Sequence, residues 1–263
     1  MKRVFSSLTV IGLLLCLHVF PLSAQDDQAK KIEEGKKYWE KWIEARGGRD
    51  RLSKVREIKA SSDIKAVAQN LNLSMVTYKK GANKLRLEQK VMGMTITMAI
   101  NGDSAWMVDP NSGFVVDMPK EVRSQLALQM GEHEALLNPD QFGHTVTYEG
   151  RKAVDGKEYI LLNQTSKEGV TATHYIDPDT FLRYKYTAVL SNVANETFES
   201  DYRDVDGIKV PFSGKSLQNG KENAVMTFTE YKFNCNLDDS LFERPASPAQ
   251  AAPPNPAGLK NPQ

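Results

Sequence analysis

Met94-Thr95-Ile96-Thr97-Met98-Ala99-Ile100-Asn101-Gly102-Asp103-Ser104 is the stretch that decides the fold class. Met94, Ile96, Met98 and Ile100 alternate with Thr95, Thr97 and Ala99. A period of two puts each set on its own face of a strand. Asn101-Gly102 is the strongest hairpin signal in the chain, because both residues tolerate a left-handed backbone. The return arm is Ser104–Val108, and Phe114–Met118 follows the Asp109-Pro110-Asn111-Ser112-Gly113 turn.

The same period extends in both directions. Upstream it is carried by Ile64, Ala66 and Ala68, by Leu71, Leu73 and Met75, and by Leu85 and Leu87, with Gly81-Ala82-Asn83 and Gly93 as turns. Downstream it resumes at Thr145 and runs through Tyr159–Thr165, Val170–Ile176, Phe181–Leu190, Glu196–Tyr202, Ile208–Leu217 and Ala224–Phe233. Turns such as Asp206-Gly207 and Asn219-Gly220 recur about every ten residues, the spacing of an antiparallel meander. Phe181, Arg183 and Lys185 alternate with Leu182, Tyr184 and Tyr186, which predicts a sheet with one wet face here. Roughly twelve strands with short turns indicate one strongly curved sheet or partial barrel.

Two segments leave this period. Over Lys30–Arg46, Ile32, Gly35, Trp39, Trp42, Ile43 and Arg46 recur at helical spacing, and Gly47-Gly48 supplies the stop. Asp50 then caps a short second helix carrying Leu52 and Val55. Over Pro119–Asn138, Val122, Leu126, Met130, Leu136 and Leu137 form an apolar face, which Gly131 divides into two pieces and Pro139 ends. Helices too few to form a layer cover the concave face of the sheet. The fold class is mainly β (α+β), an unclosed antiparallel half-barrel in a single domain over residues 25–245.

The ends of the chain stand apart. Lys2 and Arg3, the apolar run Val10–Phe20, Pro21 and Leu22-Ser23-Ala24 read as a secretory signal peptide, cleaved between Ala24 and Gln25. Its removal moves the net charge from +1 to −1. Cys16 lacks the small preceding residue of a lipid-attachment signal and reads as part of the apolar run. Cys235 is then the single thiol, so no intramolecular disulfide forms. Residues 246–263 are Pro/Ala-rich without an apolar period and read as a disordered tail. Near-zero charge argues against a nucleic-acid binder. Only one long apolar run exists, which rules out a polytopic membrane protein; the mature chain is expected to have no transmembrane span and to be a monomer.

Catalytic and metal motifs are missing. His133, His144 and His174 fit no paired ligand spacing, and Glu132-His133-Glu134 reads as a solvated charged turn because adjacent helical positions diverge. Gly214-Lys215-Ser216 lacks the earlier glycine of a phosphate loop, and Asp204-Val205-Asp206-Gly207 lacks the later ligands of a calcium loop. The expectation is no catalytic residue, no metal and no cofactor. What remains is apolar: of nine methionines, seven lie between positions 75 and 130. Methionine fills irregular cores, and it also lines surfaces that adapt to varied apolar guests. On the second reading the candidate ligand-binding residues are Met94, Ile96, Met98, Trp106, Phe114, Met118, Leu126, Met130 and Leu137, facing a pocket closed by the mid-chain helix.

Several stretches taken in order resemble the LolA/LolB-like superfamily of outer-membrane lipoprotein-sorting proteins. They are Trp42–Leu52, Asn101–Pro110, Tyr175–Leu182, Asp201–Phe212 and Asn234–Phe242. The resemblance covers nearly all of Ala29 to Pro245. It implies an unclosed barrel lidded by helices and no catalytic residues. It further implies a periplasmic carrier, in a Gram-negative bacterium, for lipoprotein acyl chains or lipid, with inner- or outer-membrane proteins as partners. The alternative is a non-catalytic envelope interaction or stress-sensor module with a filled barrel.

Overall fold

The structure is a computed structural model and describes residues 22–190 and 192–246. Most of the expected leader, Cys16 included, and the tail beyond Ala246 lie outside the described residues.

Thirteen strands form one antiparallel sheet that does not close on itself. The first six are β1 (Glu57–Ala66), β2 (Leu71–Lys80), β3 (Lys84–Val91), β4 (Met94–Asn101), β5 (Ser104–Val108) and β6 (Val115–Asp117). The other seven are β7 (Thr145–Val154), β8 (Lys157–Thr165), β9 (Thr171–Ile176), β10 (Arg183–Leu190), β11 (Val193–Val205), β12 (Ile208–Gln218) and β13 (Lys221–Phe233). In space the order runs β6 to β1, then β13 back to β7. Two meanders are thus joined where β1 pairs with β13. Three helices complete the fold: α1 (Leu22–Ala45), α2 (Arg49–Leu52) and α3 (Lys120–Leu137).

The helices differ from the expected ones at three points. The N-cap of α2 is Gly48, so Asp50 sits inside that helix and caps nothing. α1 begins eight residues before Lys30. Residues 25–31 are exposed, so that part of the helix is solvated on all sides and has no apolar stripe to reveal it. α3 runs unbroken through Gly131. An interior glycine costs about 1 kcal/mol against alanine. The apolar residues of α3 lie on both sides of it, and their packing carries the helix across.

Both faces of the sheet are covered, by different parts of the chain. α1 and α2 place Trp39, Trp42, Ile43 and Leu52 on an inner face formed by Val146, Ile160, Leu162, Ile176, Ile208, Val210 and Phe212, and the C-terminal end of α3 adds Leu136 and Leu137. On the outer face Trp106, Ala99 and Val115 form a separate cluster. There the Trp106 indole N–H donates to the Phe242 carbonyl at 3.2 Å, and Arg86 donates to the Leu241 carbonyl at 2.7 Å. The segment after β13 therefore folds back over β3–β6.

α1 approaches β7 very closely. A Cβ on Gly35 would stand 2.7 Å from the Val146 carbonyl oxygen and 2.8 Å from the Thr147 Cα. At the other end of α1, Gly47 lies against the Gly207 carbonyl at φ 128°, and the Lys209 N–H donates to the Arg46 carbonyl at 2.9 Å. The two glycines let the helix lie flat from β7 to the β11–β12 turn.

Two helical glycines therefore answer the same substitution with opposite signs. Gly35→Ala is expected to cost about 1–3 kcal/mol in urea unfolding, because backbone must move. Gly131→Ala meets nothing within 4 Å and is expected to stabilise by up to about 1 kcal/mol. Equal effects would contradict this packing.

Candidate functional site

α3 crosses the inner face of the first meander. Val122, Leu126 and Met130 are spaced by four and point the same way. They meet Leu85 and Leu87 of β3, Met98 and Ile100 of β4, Ala105 of β5, Met118, and Met75 of β2. The strand residues follow from pairing: Leu85 opposes Ile100, Leu87 opposes Met98, and Ile100 opposes Ala105. The strip continues past the helix to Ile96, which is half-buried, and Met94, which is 46 % exposed.

Polar ties hold α3 at its C-terminal half. The Lys79 ammonium donates to both carboxylate oxygens of Glu134, at 2.6 and 2.8 Å. Glu132 lies 3.5 Å from the Arg183 guanidinium. Between them, the His133 Nε2–H donates to the Leu52 carbonyl at 3.1 Å. Burial, and then the charge of Lys79, push the His133 imidazole down to about 4. The Trp39 indole N–H donates to the Leu136 carbonyl at 2.8 Å, and Arg49 donates to the Leu137 carbonyl. These bonds satisfy helix-end carbonyls that would otherwise be orphaned.

Beneath α1 lies a buried polar network. The Arg183 guanidinium grips Glu199 with two nitrogens, one of them at 2.9 Å. It also packs on the rings of Trp42 at 5.1 Å and Tyr186 at 4.4 Å. Burial pushes the Glu199 carboxyl up, but Arg183 more than offsets this and holds it below its ordinary value. The Tyr202 hydroxyl donates to Glu199 at 2.6 Å. His174 accepts from Arg183 at Nδ1 and donates from Nε2 to Gln164, which in turn donates to His144 Nδ1. Burial, then Arg183, hold His174 neutral, well below its ordinary range. The Trp42 indole N–H is the one buried side-chain polar atom among the described residues without a partner.

Arg183 was expected on a wet face and is instead buried. The cause is a β-bulge: Arg183 opposes Ile176, but Lys185 opposes Tyr175. The extra residue turns Arg183 to the inner face.

The candidate residues divide into three groups. Met98, Met118, Leu126 and Met130 are brought together beneath and within α3, and Met94 and Ile96 extend the same strip. Leu137 packs instead with α1, and Phe114 is half-buried in the turn before β6. Trp106 stands on the outer face. The hairpin register carries the signal for that: Asn101 opposes Ser104, so Trp106 opposes Ala99, out of phase with Met98. Lys79, Glu134, Arg183 and Glu199 had no local signal, since their partners are distant in sequence.

Two concavities open elsewhere. One of about 270 Å³ lies between α1 and the turn after α3, lined by Lys36, Trp39, Glu40 and Asp140 among others. One of about 450 Å³ lies among β1, β2, β3 and β13, lined by Asp63, Lys65, Asn72, Ser74, Lys90 and Thr227 among others. Neither is lined by Val122, Leu126 or Met130, whose side chains pack onto the apolar strip. Among the described residues no cluster of three His, Cys, Asp or Glu is placed to hold a metal ion. No helix among them is long and apolar enough to cross a membrane.

Two variants test these polar groups. The seated α3 keeps His133 neutral, whereas a freed imidazole titrates near 6.5. The stabilisation is therefore complete above about pH 6.5 and falls as pH drops toward 4, by about 2 kcal/mol at pH 5. His133→Gln, which keeps a donor, is expected to flatten that part of the melting-temperature profile against pH. Arg183→Met strands the Glu199 carboxylate and is expected to cost about 3–5 kcal/mol. Adding Glu199→Gln is expected to recover part of that loss in urea unfolding.

No family model matches the sequence, and no curated protein matches it either. The likeness is carried by structure. A DUF1329 family protein from Desulfovibrio piger superposes with a TM-score of 0.56 at 16% identity, covering 80% of this chain and 97% of that one. A LolA superfamily protein from Nitrosomonas europaea gives 0.55 at 14% identity, with the same coverage. A domain assigned to outer membrane lipoprotein sorting, from Vibrio parahaemolyticus, gives 0.54 at 11% identity, again with 80% and 97% covered. These likenesses, each over four fifths of the chain, show the fold alone: this open antiparallel sheet with its few helices is a LolA/LolB-like fold.

Proposed function

We propose that the protein is a non-catalytic carrier that shelters the acyl chains of lipoproteins or lipids on the inner face of the sheet, beneath α3. Export to the periplasm of a Gram-negative bacterium is part of this reading. The observation that carries it is the strip Met75, Leu85, Leu87, Met98, Ile100 and Met118, roofed by one helix. No backbone ladder fastens that roof. Over the strip it is held by Val122, Leu126 and Met130 and by polar ties that water can replace, while Leu136 and Leu137 anchor its C-terminal end beneath α1.

Loading exchanges one apolar partner for another. Acyl chains take the places of Val122, Leu126 and Met130, and each buried methylene contributes about 0.8 kcal/mol. Methionine suits this exchange because its unbranched side chain repacks around different shapes. Departure of α3 also removes Glu134 from Lys79. The freed ammonium, at the end of the strip, then pairs with the anionic head of the guest.

A second reading has one observation in its favour: the strip is filled, as a rigid scaffold for protein partners would be. Binding of a fluorescent fatty acid separates the two. The carrier reading predicts saturable binding of cis-parinaric acid, strengthened on the order of tenfold by Glu134→Gln, equivalent to ~1.4 kcal/mol of lost closure. The acid is expected to bind better than its methyl ester, and Lys79→Gln to erase that preference. No probe bound by wild type or by Glu134→Gln would overturn the carrier reading and leave the scaffold.

A further inference from the structure

The sheet has two ends of opposite character. Pairing places the β1–β2, β3–β4, β5–β6, β8–β9, β10–β11 and β12–β13 turns at one end, and the β2–β3, β4–β5, β7–β8, β9–β10 and β11–β12 turns at the other. The second set reads Gly81-Ala82-Asn83, Asn101-Gly102-Asp103, Asp155-Gly156, Asp177-Pro178-Asp179 and Asp206-Gly207, which is polar throughout, with Lys157 paired to Asp177 and Asp179. The first set contains Val91-Met92-Gly93-Met94, Val189-Leu190 and Gly169-Val170, beside the polar Asp109-Pro110-Asn111-Ser112-Gly113 turn.

Exposure follows the same division. The large apolar side chains exposed among the described residues are Met92, Met94, Val116, Phe142, Val170, Val189 and Leu190. All but Val116 stand at the first end. Phe142 belongs there because its segment leads into Thr145, which opposes Thr165, and Gly143 lies against the Lys167 side chain. Met92 is 79% and Val189 64% exposed, so these side chains support nothing inside the fold.

We propose that this end is a docking surface for an anionic lipid bilayer. The apolar side chains are carried on separate hairpin tips. A protein interface wants a contiguous, shape-matched core, whereas separate prongs suit a fluid phase that closes around each one. Polar turn backbone between the prongs sits at the depth of the headgroups. Charge agrees. Lys65 and Lys90 stand beside the β1–β2 and β3–β4 tips, exposed and without an ion-pair partner among the described residues. Basic residues near an anionic surface add an attraction that salt screens. Lys167 and Lys221 stand at the same end, each with a glutamate next to it in sequence. The far end carries none of these apolar prongs, so the docking has a fixed direction. That direction brings the open end of the apolar strip, Met94 and Ile96, toward the membrane.

Docking needs no cargo, so it is tested apart from the carrier reading. Wild-type protein is floated with vesicles of phosphatidylethanolamine and phosphatidylglycerol, and with vesicles of phosphatidylcholine alone. The expected result is association with the anionic vesicles that weakens with salt. It falls by about tenfold or more in Met92→Ser/Val189→Ser/Leu190→Ser and also falls in Lys65→Gln/Lys90→Gln. A second measurement does not rely on loss. Met92→Cys in a Cys235→Ser background carries a nitrobenzoxadiazole label, whose emission shifts to the blue and brightens on adding anionic vesicles, while a label at Ala82→Cys does not respond. Failure of the wild type to float, flotation unchanged in the triple variant, or equal response of the two labels would each overturn the proposal.

Discussion

An antiparallel sheet that stops short of closing leaves one whole face to be covered by something else, and that constraint shapes the rest of the molecule. The inner face is apolar from Val146 to Met98, far too much surface to leave in water at roughly 25 cal/mol per Å². Two helices cover it, and they do so on different terms. α1 is pressed against β7 through Gly35, with Trp39 and Trp42 sunk among the strands. α3 lies across the other meander through Val122, Leu126 and Met130, with polar ties at His133 and Glu134, and its C-terminal Leu136 and Leu137 enter the core beneath α1. On the proposed function, the first cover is built in and the stretch of α3 over the strip is detachable.

The buried network beneath α1 fits that division. A desolvated Arg183–Glu199 pair is weak evidence of added stability, because desolvation consumes most of the attraction. What the pair does is fix geometry. Arg183 touches Trp42 of α1, Glu132 of α3, His174 of β9 and Glu199 of β11. It therefore registers both covers against the sheet. When α3 leaves, Arg183 keeps Glu199 and His174 and stays satisfied, whereas Lys79 loses its carboxylate. Among the charged groups the cost of opening falls on Lys79, at the end of the apolar strip, besides the bonds of His133, Trp39 and Arg49 that bind α3.

The parts of this architecture legible in the sequence were the local ones. Asn101-Gly102 and Asp206-Gly207 announce their turns through their own backbone preferences, and Pro119 and Pro139 bracket α3. The quoted stretches of Trp42–Leu52 and Asp201–Phe212 turn out to touch, with Gly47 against Gly207 and Lys209 bonded to Arg46. Those of Asn101–Pro110 and Asn234–Phe242 meet through Trp106 and Phe242. What escaped was set by distance or by a slipped register. Glu132 is exposed as its charge suggests, but His133 and Glu134 read as solvated only because Leu52 and Lys79, which cover them, lie 81 and 55 residues away. Arg183 reads as exposed because a bulge inverts the alternation. Trp106 reads as a pocket residue until the hairpin register is followed to Ala99.

The central claim is that α3 is a removable roof and α1 a fixed one. Amide hydrogen exchange, followed segment by segment with and without a fatty acid, addresses it most directly. The account predicts that Val122–Met130 exchanges faster than Trp39–Ile43 in the free protein, because α3 opens at a lower free energy than the whole fold. Added fatty acid should speed exchange in α3 further and leave α1 unchanged. Exchange in α3 as slow as in α1, and indifferent to the acid, would contradict it.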